Sequence, residues 1–208
     1  MRSYQHWTPP YVYYRLRDYF YRRANPGLPW LTPAANTYLA AKLRHTDVGA
    51  EFGSGRSTVW LARRVACLTS VEHNQEWYAQ VSGWLEAEAL TNVDYLYRPT
   101  QHINQDIDSD YVLVCHTFSL DSLDFALVDG AHRGRCANTI IPYLRPGGLL
   151  IVDNADWFLP SSNHSPSSIK IGQDPINDEW RRFATTVHDW QCIWTSNGIS
   201  DTALYLKP

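Results

Sequence analysis

The stretch that most constrains this chain is Glu51-Phe52-Gly53-Ser54-Gly55-Arg56-Ser57-Thr58, where an apolar run meets two glycines and then a segment of helical period. Glycine lacks the Cβ that disfavours positive φ and obstructs close approach. Such a turn therefore lets a strand end, reverse and feed a helix while its backbone lies against a ligand. The stretch reads as a cofactor site of nucleotide type. Thr58 stands where the dinucleotide fingerprint would continue to its last glycine, and no Gly-Lys-Ser/Thr follows, which argues against a dinucleotide and a triphosphate. A Gly-x-Gly by itself suits a plain tight turn equally well, so the order of the remaining segments decides.

That order is an alternation of short apolar runs and helical periods. Asp47 to Phe52 is the first expected strand, with a helix after Thr58 that turns Val59, Leu61, Ala62 and Val65 inward. Cys67 to Val71 is a second strand ending at Glu72-His73-Asn74, and Asn74 is placed to cap a helix from Gln75 to about Leu90. Val93 to Tyr97 is a third strand. Asn104 to Ser122 is ambiguous at Tyr111 to Cys115, and a helix is preferred because a crossover is needed there. Phe125 to Val128 is a strand ending at Asp129-Gly130, followed by a helix to about Leu144 and a Pro146-Gly147-Gly148 turn into the strand Leu149 to Val152. The Ser-, Pro- and Asn-rich residues 155 to 178 predict a mobile excursion. A helix from about Asp178 to Val187 then precedes Gln191 to Thr195 and Ala203 to Leu206, two antiparallel strands joined through Asn197-Gly198.

Residues 1 to 46 form a helical preface: an aromatic and arginine-rich helix over Pro10 to Arg23, then one capped by Thr32 with Pro33 at its first position. The pattern predicts an α/β chain, Rossmann-like and doubly wound, with a mostly parallel seven-stranded sheet, an antiparallel C-terminal hairpin and this helical N-terminal extension on a domain of residues 47 to 208. The 208 residues suit one domain. A net charge of −3 supplies no basic field for nucleic acid, and no apolar run approaches the roughly 20 residues that span a bilayer. The start of the chain has no apolar signal core. Cys67, Cys115, Cys136 and Cys192 are widely spaced, which suits reduced thiols in a cytoplasmic protein.

In a parallel sheet of this kind ligands sit at the carboxyl ends of the strands, and the polar clusters fall there: Gly53 to Gly55, Glu72, Asp129 with His132, and Asp153-Asn154. With Glu51-Phe52-Gly53-Ser54-Gly55, the acidic strand end at Glu72 and the late Pro146-Gly147-Gly148, the chain resembles the class I S-adenosylmethionine-dependent methyltransferases. The resemblance implies a cofactor site of Glu51, Gly53, Ser54, Gly55, Ser57, Thr58, Glu72, His73 and Asp129, in which Glu51 lies near the amino group of S-adenosylmethionine and Glu72 takes the ribose hydroxyls. Adenine contacts are expected from Arg98 to Asp106, where no motif identifies them.

Within that superfamily, Asp129, Asp153 and Asn154 resemble the metal triad of the cation-dependent O-methyltransferases, which implies Mg²⁺. Hard oxygen ligands suit that ion, and a bound divalent ion makes an acceptor hydroxyl easier to ionise. His132 then stands as the candidate base beside Asp129. The catechol-type enzymes carry a lysine at that position, so the acceptor is expected to be a small-molecule hydroxyl of a sugar or natural product. A metal-independent N- or O-methyltransferase stays open, as does a non-catalytic cofactor-binding partner protein. The apolar first helix leaves a homodimer open as well.

Overall fold

The computed structural model describes residues 7–100 and 109–208. At its centre Val48–Phe52 forms β1, buried at every position but the first, as a parallel strand covered on both faces must be. On one side β1 pairs in parallel with β2 (Cys67–Glu72), and β2 with β3 (Val93–Tyr97). On the other it pairs in parallel with β4 (Leu123–Val128), and β4 with β5 (Leu144–Asp153). The hairpin of β6 (Gln191–Ser196) and β7 (Asp201–Leu206) closes that edge antiparallel, giving a seven-stranded sheet in the order β3-β2-β1-β4-β5-β7-β6. The strand order reverses between β1 and β4, the switch point at which an open α/β sheet leaves a crevice.

Alternate side chains of each strand go to opposite faces, and two cores result. Ala50, Phe52, Ala126, Val128, Leu150 and Val152 pack with α6 (Arg133–Ile140) and α7 (Asp178–Thr186). Leu68, Phe125, Leu127, Leu149 and Ile151 pack with α2 (Pro33–Lys42) and α3 (Arg56–Ala62), and α4 (Gln75–Ala87) covers α3. Leu31, Ala35 and Leu39 are buried, so the second helix of the preface is core. Its N-cap is Thr32, whose Oγ1 accepts from Ala35 N at 3.3 Å; Asn74 caps α4 by accepting from Trp77 N at 2.9 Å. The first helix, α1 (Pro9–Ala24), buries Tyr11 and Asp18 and turns Tyr13, Leu16, Tyr19 and Phe20 outward.

Three local expectations are corrected, and the helix preferred in the ambiguous region is found in its described part. Pro146-Gly147-Gly148 is a bulge within β5: Leu144 already pairs with Leu123, and the register shifts before Leu149 meets Phe125. The helix before it ends at Ile140 and tightens to a 3₁₀ turn over Ile141–Tyr143, where Pro142 removes a backbone donor. In the ambiguous region the described part is a short helix α5 (Asp110–Leu113) running into a 3₁₀ turn (Val114–Thr117); residues 101–108 lie outside the described residues. The Ser- and Asn-rich excursion is tied down, with Asp156, Ser161, Asn163, Ser165 and Ser168 all buried.

Candidate active site

The turn after β1 brings its backbone against the turn after β4. Gly53 has φ of 93°, and a Cβ there would lie 2.5 Å from Gly130 N. A Cβ on Gly130 would in turn lie 2.7 Å from Gly53 Cα. Both glycines are therefore needed for the two strand ends to meet. Beside this contact opens a cleft of about 510 Å³ lined by Gly53, Ser54, Glu72, His73, Trp77 and Asp129.

Glu72 is 3% exposed at the end of β2. Its Oε2 accepts from Ser54 N and Oγ, both at 3.0 Å, and its Oε1 from His73 N at 2.9 Å and Asn74 N at 2.8 Å. Burial alone would raise its pKa, but these bonds, with the His73 ring beside it, hold it below the ordinary carboxylate value. Glu72 is thus a fixed anion on the rim of the cleft. Glu51 is the opposite case. It is fully buried in β1, where Oε2 accepts from Thr58 Oγ1 and from Ser70 Oγ, each at 2.6 Å. Burial raises its pKa to about 7 against the pull of the Ser57, Ser70 and Thr58 hydroxyls. Thr58 Oγ1 also accepts from Gly55 N at 2.8 Å and so locks the glycine turn. Trp77 Nε1 donates to Ser54 O at 2.6 Å and fixes the outer wall.

The expected metal triad is gathered at adjacent strand ends, around a side chain that the sequence reading did not assign. Arg133, at the start of α6, donates through Nε to Gly130 O at 3.0 Å and through Nη1 to Asp153 O at 2.7 Å and Asn154 Oδ1 at 2.9 Å. Its Nη2 donates to Asp129 O at 2.8 Å and stands 2.9 Å from Asp129 Oδ1. Asp153 turns Oδ1 to Thr202 Oγ1 at 2.7 Å, and Asn154 Nδ2 donates to Ser200 Oγ at 2.6 Å. Among the described residues no group of three or more His, Cys, Asp or Glu has the arrangement of a metal site. Mg²⁺ needs near-octahedral oxygens at about 2.1 Å. Here the Asp129 and Asn154 oxygens face the Arg133 guanidinium, a permanent cation, so the donor set as arranged does not fit that ion.

Burial and the neighbouring Asp129 push the Asp153 carboxyl up to about 8. Asp129 is raised by burial, against the charges of Arg133 and of Arg22 in α1. His132 is buried in the left-handed conformation, φ 48°. Its Nε2 is 2.9 Å from Thr100 Oγ1 and its ring centroid 6.4 Å from that of Tyr111, so it faces the segment after β3. Of the expected site residues, Gly53, Ser54, Glu72, His73 and Asp129 line the cleft, Gly55 and Ser57 line a neighbouring recess, Glu51 and Thr58 are buried beneath the glycine turn, and Asp153 and Asn154 stand behind Asp129 on Arg133. The expected adenine contacts at 101–106 lie outside the described residues. Sequence reasoning missed Ser70, Trp77, Arg133 and Thr202. An arginine four residues past a strand-end aspartate is the one available signal, since that spacing lets the side chain reach back over the strand.

Beyond Gly130 a cavity of about 380 Å³ opens between α6 and α7, lined by Ala131, Arg133, Phe158, Ile176 and Trp180. Phe158 and Trp180 stack there at 4.7 Å. On the other flank a recess of about 60 Å³ lies among Trp30, Arg56, Trp77 and Asp129. Asp129 is therefore shared by the cleft and the recess, and Gly130 by the cleft and the cavity.

Comparison with known proteins follows this geometry. The methyltransferase domain family matches residues 50–155, from within β1 to the end of β5. No curated protein matches the chain. Among solved structures, a methyltransferase-like protein from Silicibacter pomeroyi is similar at 21% identity and a TM-score of 0.58, over 86% of this chain and 88% of that one. A methyltransferase from Geobacter sulfurreducens is similar at 13% identity and 0.57, over 97% and 90%. A Streptococcus mutans protein in complex with SAH is similar at 10% identity and 0.56, over 84% and 96%. These structural likenesses are likenesses of fold.

Proposed function

The chain belongs to the methyltransferase domain family and is an S-adenosylmethionine-dependent methyltransferase, and from that premise we propose that it methylates an oxygen of a small-molecule acceptor seated beyond Asp129 and Gly130. The observation that carries this reading is Gly130, which lines both the cleft and the aromatic cavity under Phe158 and Trp180, with Asp129 next to it on the cleft side. A residue bordering both spaces stands where two reactants would meet. The cofactor supplies an activated methyl on sulfonium sulfur. With the cofactor bound, that methyl would be available to an acceptor oxygen, and what the chain's own residues have to supply is alignment and a place for the acceptor proton.

Glu72 and the Gly53 to Gly55 backbone bind and orient the nucleoside and amino-acid parts. The main contribution to rate is then alignment, because the leaving group is already good. Asp129 is the proton acceptor this geometry favours. Burial makes it a better base than a solvated carboxylate, and the paired Arg133 fixes its orientation. His132, turned to Thr100, is assigned no proton transfer. A carboxylate is a modest base, and the donor set does not suit a divalent ion. The preferred acceptor is therefore a hydroxyl that ionises readily, such as a phenol, rather than an aliphatic alcohol.

The test is a panel of phenols, sugars and amines incubated with S-adenosylmethionine in excess EDTA, reading release of S-adenosylhomocysteine. Turnover of phenolic acceptors that survives chelation is expected. Glu72→Ala should weaken S-adenosylhomocysteine binding by about 1–3 kcal/mol in calorimetry, through loss of charge-assisted hydrogen bonds. Turnover confined to amines would reassign the acceptor atom.

A further inference from the structure

We propose that the Arg133 guanidinium is the resident cation of the methyl-transfer site, held where the ends of β4 and β5 would otherwise accept a divalent ion, and that removing it opens Asp129, Asp153 and Asn154 to such an ion. The proposal takes the cleft beside Asp129 as the place of methyl transfer, but its main test reads metal binding alone.

Three features carry it. First, the guanidinium uses all three nitrogens on the two strand ends: Nε on Gly130 O, Nη1 on Asp153 O and Asn154 Oδ1, Nη2 on Asp129 O and Oδ1. A planar fork of five N–H donors can span such a set, whereas an ammonium is a single point charge on a flexible stem. Second, the surroundings are arranged around that cation. Asn154 is in the left-handed conformation, φ 50°, with Oδ1 toward Arg133 and Nδ2 committed to Ser200 Oγ at 2.6 Å. Third, Asp129 and Asp153 stand at the ends of neighbouring parallel strands, and the guanidinium lies between their two turns, in contact with both, where a metal bridging the strand ends would have to sit.

Arg133 is then a positioning residue that acts through Asp129. A divalent ion entering the native site would meet a fixed like charge only 15% exposed to solvent, and would have to break five contacts to displace it.

The deciding experiment is a titration of the full chain with Mn²⁺, following loss of the free-ion electron paramagnetic resonance signal. The native protein should show no stoichiometric site, and Arg133→Ala should bind one ion per chain. The gain in apparent affinity over the native protein should be at least roughly tenfold, and Arg133→Ala combined with Asp129→Asn should lose it again. Thermal stabilisation of each variant by S-adenosylhomocysteine checks that the cleft still folds. Folded Arg133→Ala with no gain in Mn²⁺ binding would overturn the proposal. So would one Mn²⁺ bound to the native chain and removed by Asp129→Asn, a result that needs no Arg133 variant to fold. Failure of S-adenosylhomocysteine to stabilise the native protein would count against the cofactor cleft and leave the Mn²⁺ result to stand by itself.

Discussion

At the scale of single residues, Glu51 and Glu72 show how one carboxyl type does two jobs through its surroundings. Glu72 is surrounded by donors and stays ionised, whereas Glu51 is fully buried and its Oε1 has no hydrogen-bond partner among the described residues. Burial moves the Glu51 pKa from 4.5 to about 7. Between those values the native chain holds a proton that the unfolded chain has released. The stabilisation from this group is thus complete below about pH 4.5 and is lost as pH rises through about 7. A cofactor amino group beside Glu51 would favour the ionised form and expel that proton. Binding of S-adenosylhomocysteine near pH 6 should therefore release up to about one proton, seen as a dependence of the calorimetric enthalpy on buffer ionisation. The release should fade by about pH 8 and be absent in Glu51→Gln. Proton release unchanged in Glu51→Gln would assign it to another group.

At the scale of elements, the strands and the glycine turn were legible because their signals are local: two-residue alternation, a cap three residues from its donor, a glycine at positive φ. Contacts that depend on register were not. Ser70 reaches Glu51 because the two are paired across β1 and β2, and Arg133 meets Asn154 because β4 and β5 are neighbours. The clearest failure is the segment 155–178, whose Ser, Pro and Asn content reads as a mobile excursion. Its polar groups turn inward instead, onto acceptors supplied by β7 and by Asp156. Asp201 accepts from Ser161 Oγ, from Asn163 Nδ2 at 2.6 Å and from Trp194 Nε1 at 2.8 Å. Asp156 accepts from Ser168 Oγ at 2.6 Å and Asp201 N at 2.9 Å. Lys170 Nζ then closes the loop on Asn163 O and Ser165 O at 2.9 and 2.8 Å. Asp201→Ala would strand three donors at once, so a loss of about 2–4 kcal/mol in urea unfolding is expected. Limited proteolysis should then cut within 160–170 while S-adenosylhomocysteine still binds. A variant as stable and as resistant as the native chain would show that this network contributes little.

At the scale of the molecule, α1 joins parts of the chain that the sheet keeps apart. The Tyr14 ring lies against Gly198, where a Cβ would approach to 2.4 Å, and stacks on His164 at 5.6 Å. Asp18 Oδ1 accepts from Asn197 Nδ2 at 3.0 Å and its Oδ2 from Arg22 Nε at 2.7 Å. Arg22 in turn lies over Trp30 at 5.2 Å, and its charge favours ionised Asp129. One helix therefore touches the β6–β7 turn, the 155–178 segment and the surroundings of the proposed base, while the residues of the proposed cofactor cleft come from the ends of β1, β2 and β4 and from α4. No residue of α1 lines the aromatic cavity itself, so α1 acts on the acceptor side through Arg22 and through its contact with the 155–178 segment, and undocking it separates the two substrates experimentally. Asp18→Ala with Tyr14→Ala removes the buried carboxylate and the ring that hold it. Acceptor turnover should fall at least roughly tenfold, equivalent to about 1.4 kcal/mol of transition-state stabilisation, with S-adenosylhomocysteine affinity changed by less than about threefold. A drop in cofactor affinity and melting temperature that matches the drop in turnover would mean that α1 supports the core as a whole and has no separate part on the acceptor side.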